Sequence, residues 1–166
     1  MDKLYRKLER IMRGKIVIVG IGDRLRGDDG AGSIVAERLK NRIRKENIKI
    51  IDAEISPENY LEKIVNFSPD LILFLDSMDF GHPAGEIEIF KSDDILFTGT
   101  STHNTFKPLV EYLKNATGAE IFLLGIQPKS FTPDTLSEEV KEGIKKIEKI
   151  LESILKEVED GEKDKD

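Results

Sequence analysis

The sequence has no cysteine and no tryptophan, and only two of its 166 residues are histidine. Without cysteine the chain has no disulfides, no thiolate nucleophile and no cysteine-ligated zinc. Any metal site must therefore use histidine, aspartate, glutamate or backbone oxygen. Positive charge is in the minority too, because 26 Lys and Arg face 32 Asp and Glu, for a net charge of −6. An acidic chain repels phosphate backbones, so we expect no nucleic-acid partner.

Long apolar runs are also missing. The longest strongly apolar run, Leu71 to Leu75, is far too short to span a membrane and predicts a buried strand. The basic segment 1–13 lacks the apolar centre of a signal peptide, so we expect a cytoplasmic protein that does not insert into membranes. Charged residues make up 35% of the chain, and many are Lys and Glu alongside frequent Ile, a bias typical of thermophilic proteins.

The hydrophobic pattern predicts strands that alternate with helices. Ser56 and Pro57 form a favourable helix start, since serine caps the first turn and proline opens it. The predicted strands are 15–19, 48–51, 70–76, 86–90 and 120–126, and the predicted helices are 2–12, 30–44, 57–66, 104–115 and 137–158.

This order of elements predicts an α/β fold, specifically a three-layer α/β/α sandwich with a five-stranded, mostly parallel twisted sheet. The strand at 86–90 follows the strand at 70–76 too closely for a crossover helix, so we expect it to be antiparallel and at an edge. We expect residues 1–158 to form one domain, with a lead-in helix within 1–13. The charged tail 159–166 is expected to be disordered.

The first candidate site is the glycine-rich loop after strand one. Gly20 and Gly22 suggest a dinucleotide site, but the third glycine of that motif would fall at Leu25. Asp28 and Asp29 lie where a pyrophosphate would need positive charge, and they repel it. These carboxylates could instead bind a cation, or they could cap the helix that follows.

Two further candidates follow other strands. Asp76 ends the apolar central strand, where a carboxylate is either paired, bound to metal or solvated, and Asp79 follows three residues later. His103 lies before the helix at 104–115 and is either a ligand or an ordinary helix-start residue. The other histidine, His82, lies in a Gly/Pro turn and is expected to face solvent.

In parallel sheets, ligands bind beyond the carboxyl ends of the strands. Asp29, Asp76 and His103 are all predicted to lie at that edge. Two carboxylates and one imidazole suit a borderline cation such as zinc or nickel, and they leave positions open for water or substrate.

Five motifs follow one another at 20–32, 56–59, 75–87, 100–104 and 124–140, within a region of about 15–157. In these motifs and their order, the sequence resembles the hydrogenase maturation endopeptidases. The Gly-Ile-Gln-Pro element at 125–128 and the pair His103 and Asn104 resemble the branch that serves formate-hydrogenlyase-type hydrogenases.

The resemblance implies a cytoplasmic, aspartate-dependent endopeptidase that removes a C-terminal extension from a hydrogenase large-subunit precursor after nickel insertion. Carried over, Asp29, Asp76 and His103 are the metal ligands, and Asp29 and Asp76 are the catalytic candidates. The substrate would supply the nickel, although zinc or cadmium could occupy the same ligands, and no organic cofactor is implied. Asp28 or Asp79 could act as the general base or could support the metal ligands, and both alternatives stay open. For the oligomeric state, we favour a monomer.

Two features depart from the family pattern. Asp23 stands where the family commonly has Asn, and both residues tolerate left-handed turn geometry. Residues 1–13 precede the family's usual start.

Two alternative functions are weighed against an endopeptidase. One is a receiver-like phospho-aspartate signalling module, whose acidic pair would follow strand one directly, and the other is a nucleotide-binding protein.

Overall fold

The computed structural model of the protein describes residues 2–94 and 106–159. Its five strands are β1 (Ile16–Ile21), β2 (Ile48–Glu54), β3 (Leu71–Ser77), β4 (Ile87–Lys91) and β5 (Glu120–Ile126). Its α-helices are α1 (Asp2–Ile11), α2 (Ala31–Lys40), α3 (Leu61–Phe67), α4 (Phe106–Thr117) and α5 (Glu138–Glu157), and 3-10 turns cover Arg24–Gly30 and Pro57–Tyr60.

The strands form one mixed sheet in the order β2-β1-β3-β5-β4. All neighbouring pairs are parallel except β4 with β5, where Ile87 lies opposite Ile126 and Lys91 opposite Phe122. The prediction of a mostly parallel α/β sheet with an antiparallel edge strand is confirmed. Because β4 is antiparallel, its first residue lies at the edge of the sheet where the parallel strands end.

The central strands are buried because helices cover both faces of the sheet. Alternate residues of β3 enter different cores: Leu71, Leu73 and Leu75 pack with α2 and α5, whereas Ile72 and Phe74 pack with α3 and α4. This is the period-2 alternation of a strand. It means that consecutive residues at the end of β3 face different helices.

The two helices that begin after a serine differ in how their first turn is capped. Ser137, the first residue of the predicted helix 137–158, caps α5, since its hydroxyl accepts a hydrogen bond from the Val140 amide. Ser56 makes no such bond, and the segment after it is a 3-10 turn before α3 begins. The expected Ser56 cap is therefore wrong, and Pro57 opens the turn without it.

The predicted lead-in helix corresponds to α1, which packs Leu8 into the core shared with α5, and Met12 follows it into the same core. Within the described ranges, no helix is long and apolar enough to cross a membrane. The predicted disordered tail lies outside the described residues from residue 160 onward.

Candidate active site

The candidate site lies at the carboxyl edge of the sheet, where the loops after β1, β3 and β5 meet. The start of α2 lies directly over this edge, because a Cβ on Gly32 would overlap the carbonyl oxygens of Ile21 and Leu75. Only glycine allows this approach. The residues just before α2, including Asp28 and Asp29, are thereby held against the ends of the central strands.

Asp29 is buried against the end of β3. Its Oδ1 accepts a hydrogen bond from the Ser77 hydroxyl at 3.2 Å, and its Oδ2 accepts one from the Asp23 amide at 3.1 Å. The residue is 2% exposed. Each carboxylate oxygen has two acceptor positions, so both oxygens can still bind another group.

Asp76 immediately precedes Ser77 and is likewise 2% exposed. The alternation along β3 places it on the same face as Phe74, towards α4. The rings of Phe74 and Phe106 are in edge contact, with centroids 5.2 Å apart, so the first residue of α4 lies beside this end of β3. The structure therefore brings Asp29 and Asp76 to the same strand end, on either side of it.

His103, the third predicted ligand, lies outside the described residues, three positions before Phe106. Within 2–94 and 106–159, no three His, Asp or Glu side chains form a group that could hold a metal ion. The predicted set of two carboxylates and one imidazole therefore stays a prediction.

Asp28 has a different role from its neighbour. Its Oδ2 accepts hydrogen bonds from the Lys129 and Ser130 amides and the Ser137 hydroxyl at 2.8, 3.0 and 2.9 Å, and its Oδ1 accepts one from the Ser137 amide at 2.8 Å. The side chain is fully buried. All four bonds come from residues 127–137, which we call the β5–α5 loop, so Asp28 fixes this loop over the site.

Neither aspartate caps α2, because the cap residue is Gly30 and no side chain bonds there. The alternative of a simple capping pair is therefore wrong. Asp28 is also fully buried, and all four of its side-chain hydrogen bonds hold the β5–α5 loop, so it is poorly placed to receive a proton from water.

Gly27 lets the β5–α5 loop come close. It has φ of +58°, and a Cβ there would lie 2.5 Å from the Thr132 carbonyl oxygen and 2.7 Å from that of Thr135. The amide of Asp28 adds a hydrogen bond to the Ser130 carbonyl at 3.1 Å. Backbone contact and the Asp28 carboxylate thus secure the same loop.

Arg24 ties the glycine-rich loop to two other elements. Its guanidinium pairs with Glu37 at 2.7 Å and Asp52 at 2.8 Å, and it donates to the Ser33 hydroxyl at 2.9 Å. That hydroxyl donates to Asp52 at 2.6 Å. The network joins the loop to α2 and to β2, and so supports the position of Asp29.

Gln127 holds the turn after β3. Its side-chain oxygen accepts from the Phe80 amide at 2.9 Å and the His82 amide at 3.2 Å, and its nitrogen donates to Asp79 at 3.0 Å. The hydrogen bonds from Gln127 and then from the Gly81 amide lower the pKa of the exposed Asp79 below its usual value. Asp79 is therefore a weak base. His82, in the same turn, faces solvent as predicted, and its Nδ1 lies 3.1 Å from Glu86 Oε1.

The chain is similar to known proteins of one family. A family model described as HycI, hydrogenase maturation protease, matches residues 34–156. A putative hydrogenase maturation protease of Methanocaldococcus jannaschii is 36% identical over 149 residues, covering 84% of this chain and 88% of the relative. The hydrogenase 3 maturation protease of Escherichia coli K12 is 37% identical over 114 residues, covering 68% and 72%.

The chain belongs to the hydrogenase maturation protease family. Its structure is similar to the crystal structure of the [NiFe] hydrogenase maturation protease HycI from Thermococcus kodakarensis KOD1, with a TM-score of 0.84 and 37% identity over 90% of this chain and 99% of that one. The resemblance and the enzyme class predicted from sequence, a maturation protease, are confirmed. Family membership favours this function over the receiver-like and nucleotide-binding alternatives.

Some residues that shape this candidate site were not predicted from the sequence. Ser77 and Arg24 were not predicted as partners, since their contacts join segments far apart in the chain. Gln127 was predicted only as part of the Gly-Ile-Gln-Pro element, although an amide side chain just after a buried strand suggests a loop-holding role. Asp23 was expected to tolerate a left-handed turn, but it is extended, with φ of −102° and ψ of 105°, and it caps the first turn through the Leu25 amide.

Proposed function

We propose that this protein is an endopeptidase that removes the C-terminal extension of a nickel hydrogenase large-subunit precursor after nickel insertion. In this proposal Asp29, Asp76 and His103 bind the nickel that the precursor carries. The observation that carries it is the position of Asp29 against Ser77, directly next to Asp76, at the carboxyl edge of the sheet.

The chemistry of the two aspartates supports a cation rather than an anion. Both are buried, and a buried carboxylate needs hydrogen bonds, a cation or a proton to offset its desolvation. The partners of Asp29 leave an acceptor position on each oxygen, which suits a metal that arrives late. Carboxylate oxygens and an imidazole nitrogen are acceptable ligands for nickel and zinc.

His103 supplies the third ligand in this proposal. Its place in the sequence, shortly before Phe106, favours this role because Phe106 contacts Phe74 on the face of β3 that also carries Asp76. Three protein ligands leave coordination positions for the substrate's own groups. A metal that belongs to the substrate would then be read directly by the protease.

Cleavage follows from positioning. Docking of the nickel between the ligands would hold the scissile peptide in one place for the reaction. Water then attacks the peptide carbonyl while Asp29 or Asp76 accepts its proton, and this proton passes to the leaving amine as the C–N bond breaks. Asp28 does not serve as this base because it is fully buried and its four side-chain hydrogen bonds hold the β5–α5 loop, and Asp79 is disfavoured by its lowered pKa.

The proposal is tested by presenting the purified protein with nickel-loaded and nickel-free large-subunit precursor and following the loss of the C-terminal peptide by mass spectrometry. We expect cleavage of the nickel-loaded form and at least a roughly 100-fold slower rate with the nickel-free form. Equal cleavage of the two forms would contradict nickel recognition.

Two controls complete this experiment. A nickel-loaded precursor that lacks the extension should show no mass change, which establishes that the site of cleavage lies in that extension. Incubation with a small phosphodonor should give no stable aspartyl-phosphate. A stable phosphoprotein would favour the receiver-like alternative instead.

A further inference from the structure

We propose that Arg26 is an electrostatic gate on Asp29, which disfavours dissolved divalent cations and so makes the site respond to metal delivered by a docked substrate. This inference rests on the proposed function, because it takes Asp29 as the carboxylate that meets the substrate's metal. It adds a residue that determines which source of metal the site accepts.

The first observation is the charge pairing. Arg26 Nη1 lies 3.9 Å from Asp29 Oδ2, with the arginine side chain 56% exposed and the aspartate 3% exposed. The separation is too long for a hydrogen bond, so the guanidinium neutralises Asp29 through space and leaves its acceptor positions open. Within the described ranges, Asp29 is the single ion-pair partner of Arg26.

The second observation is that Arg26 is held in this place from the other side. Its guanidinium carbon lies 4.9 Å from the centre of the Phe131 ring, a cation–π distance, and Phe131 belongs to the β5–α5 loop fixed by Asp28. The next residue, Gly27, is packed against the carbonyl oxygens of the same loop. Arg26 is therefore located by the loop, although most of its side chain reaches solvent.

These contacts have a consequence for metal binding. A dissolved dication that approaches Asp29 is repelled by the positive charge of Arg26. It binds only against this repulsion or after displacement of the Arg26 side chain. A metal carried by a docked precursor is helped by the protein–protein contacts of docking, which a dissolved ion lacks. At this distance and exposure, the repulsion should weaken binding of a dissolved dication roughly three- to tenfold.

The test is isothermal titration of Zn²⁺, Cd²⁺ and Ni²⁺ into the full chain and three variants. Arg26→Gln removes the charge and should bind each cation roughly three- to tenfold more tightly than the unchanged protein. Arg26→Lys keeps the charge and should stay within about twofold. Arg42→Gln is the matched control, since Arg42 is 49% exposed and pairs with Glu152 on α5, away from Asp29.

The cleavage assay gives a second readout. Dissolved Zn²⁺ should inhibit cleavage of the nickel-loaded precursor, and its half-inhibitory concentration should fall in Arg26→Gln by the same factor as the dissociation constant. Arg42→Gln should leave this concentration unchanged. Thermal unfolding of each variant verifies that the loop substitution has left the fold intact.

The outcomes separate the gate from the proposed function. Unchanged affinity in Arg26→Gln, or an equal gain in Arg26→Gln and Arg42→Gln, overturns the gate while leaving nickel-dependent cleavage standing. Absence of measurable cation binding in every variant also overturns the gate. If adding Asp29→Asn to Arg26→Gln leaves the affinity unchanged, the cation is not bound at Asp29, and the assignment of Asp29 in the proposed function fails as well.

Discussion

The Ser77 hydroxyl donates a hydrogen bond to Asp29 across 3.2 Å, and so joins the loop after β1 to the residue that follows Asp76. This contact brings the two buried aspartates to one strand end although 47 positions separate them in the chain. It also orients the Asp29 carboxylate. The geometry of the site therefore depends on residues that need not touch the substrate.

Asp29→Asn should abolish cleavage while keeping the fold. The amide oxygen still accepts the Ser77 hydrogen bond, while the bond from the Asp23 amide and the negative charge that the metal requires are lost. We expect the cleavage rate of the nickel-loaded precursor to fall at least roughly 100-fold, measured by mass spectrometry.

The matched control for this variant is Asp23→Asn, which removes one negative charge in the same loop. Asparagine caps a helix about as well as aspartate, so the Asp23 contact with the Leu25 amide should persist. We expect activity within a few-fold of the unchanged protein. Comparable losses in both variants would show that loop charge, and not Asp29 itself, is what matters.

Asp28→Ala should destabilise the protein more than it alters metal binding. The substitution removes four hydrogen bonds and leaves the amides of Lys129, Ser130 and Ser137 without their acceptor. We expect a loss of about 3–5 kcal/mol in the free energy of unfolding, measured by urea denaturation at neutral pH. Asp28→Asn retains one carbonyl acceptor and should lose less.

Limited proteolysis identifies the part of the chain that Asp28→Ala destabilises. Cleavage within the β5–α5 loop should be faster than in the unchanged protein, whereas cleavage elsewhere should follow global stability alone. A stability within about 1 kcal/mol of the unchanged protein would contradict the view that this carboxylate fixes the loop.

Gly27→Ala should displace the β5–α5 loop. The new Cβ would overlap the carbonyl oxygens of Thr132 and Thr135, and alanine also disfavours the φ of +58°. We expect a loss of about 2–4 kcal/mol in the free energy of unfolding.

Gly118→Ala is the control for Gly27→Ala, because Gly118 has φ of +71° but no heavy atom within 4 Å of the added Cβ. It should lose only the conformational part, about 1 kcal/mol. Equal losses in the two variants, measured by urea denaturation, would mean that backbone strain alone explains the effect and that packing against the loop contributes nothing.

Gln127→Met should raise the pKa of Asp79 towards its ordinary value of 3.8, because it removes the hydrogen bond that lowers this pKa most. A carboxyl group whose pKa is lower in the folded state than in the unfolded state stabilises the protein at pH values above the unfolded-state pKa. This stabilisation is lost as the pH falls through the folded-state pKa. The difference in stability between Gln127→Met and the unchanged protein should therefore narrow as the pH falls below about 4.

An NMR titration of the side-chain carboxyl carbons follows this effect directly. Asp93 serves as the internal control, because its pKa is lowered by Lys114, away from the substituted residue. The Asp93 titration should be unchanged in Gln127→Met. An Asp79 titration that is also unchanged would refute the role given to Gln127.

Much of the fold follows from local pattern. The β-branched and apolar runs mark every strand, and the short connection before β4 correctly predicts its antiparallel direction. The edge that holds Asp29 and Asp76 could also be predicted, since parallel strands share one carboxyl edge. These inferences need only periodicity and connection length.

The separate roles of Asp28 and Asp29 could not be predicted, because they depend on contacts between distant segments. The acceptors and donors of Asp28 come from positions 101 to 109 residues further along the chain. Nothing in the local sequence distinguishes a carboxylate that fixes a loop from one that faces a substrate. The Arg26–Phe131 contact is equally long-range, and the same holds for the support that Ser77 gives to Asp29.

The wide separation between Asp28 and its partners also bears on synthesis of the chain by the ribosome. The loop that carries both aspartates is made early, but the amides that its buried carboxylate requires belong to residues up to Ser137. While the segment up to Ser137 is still inside the ribosome, Asp28 has none of those donors. Burial of its carboxylate at that stage would be unfavourable. The site should therefore take its final form only after the segment up to Ser137 has left the ribosome.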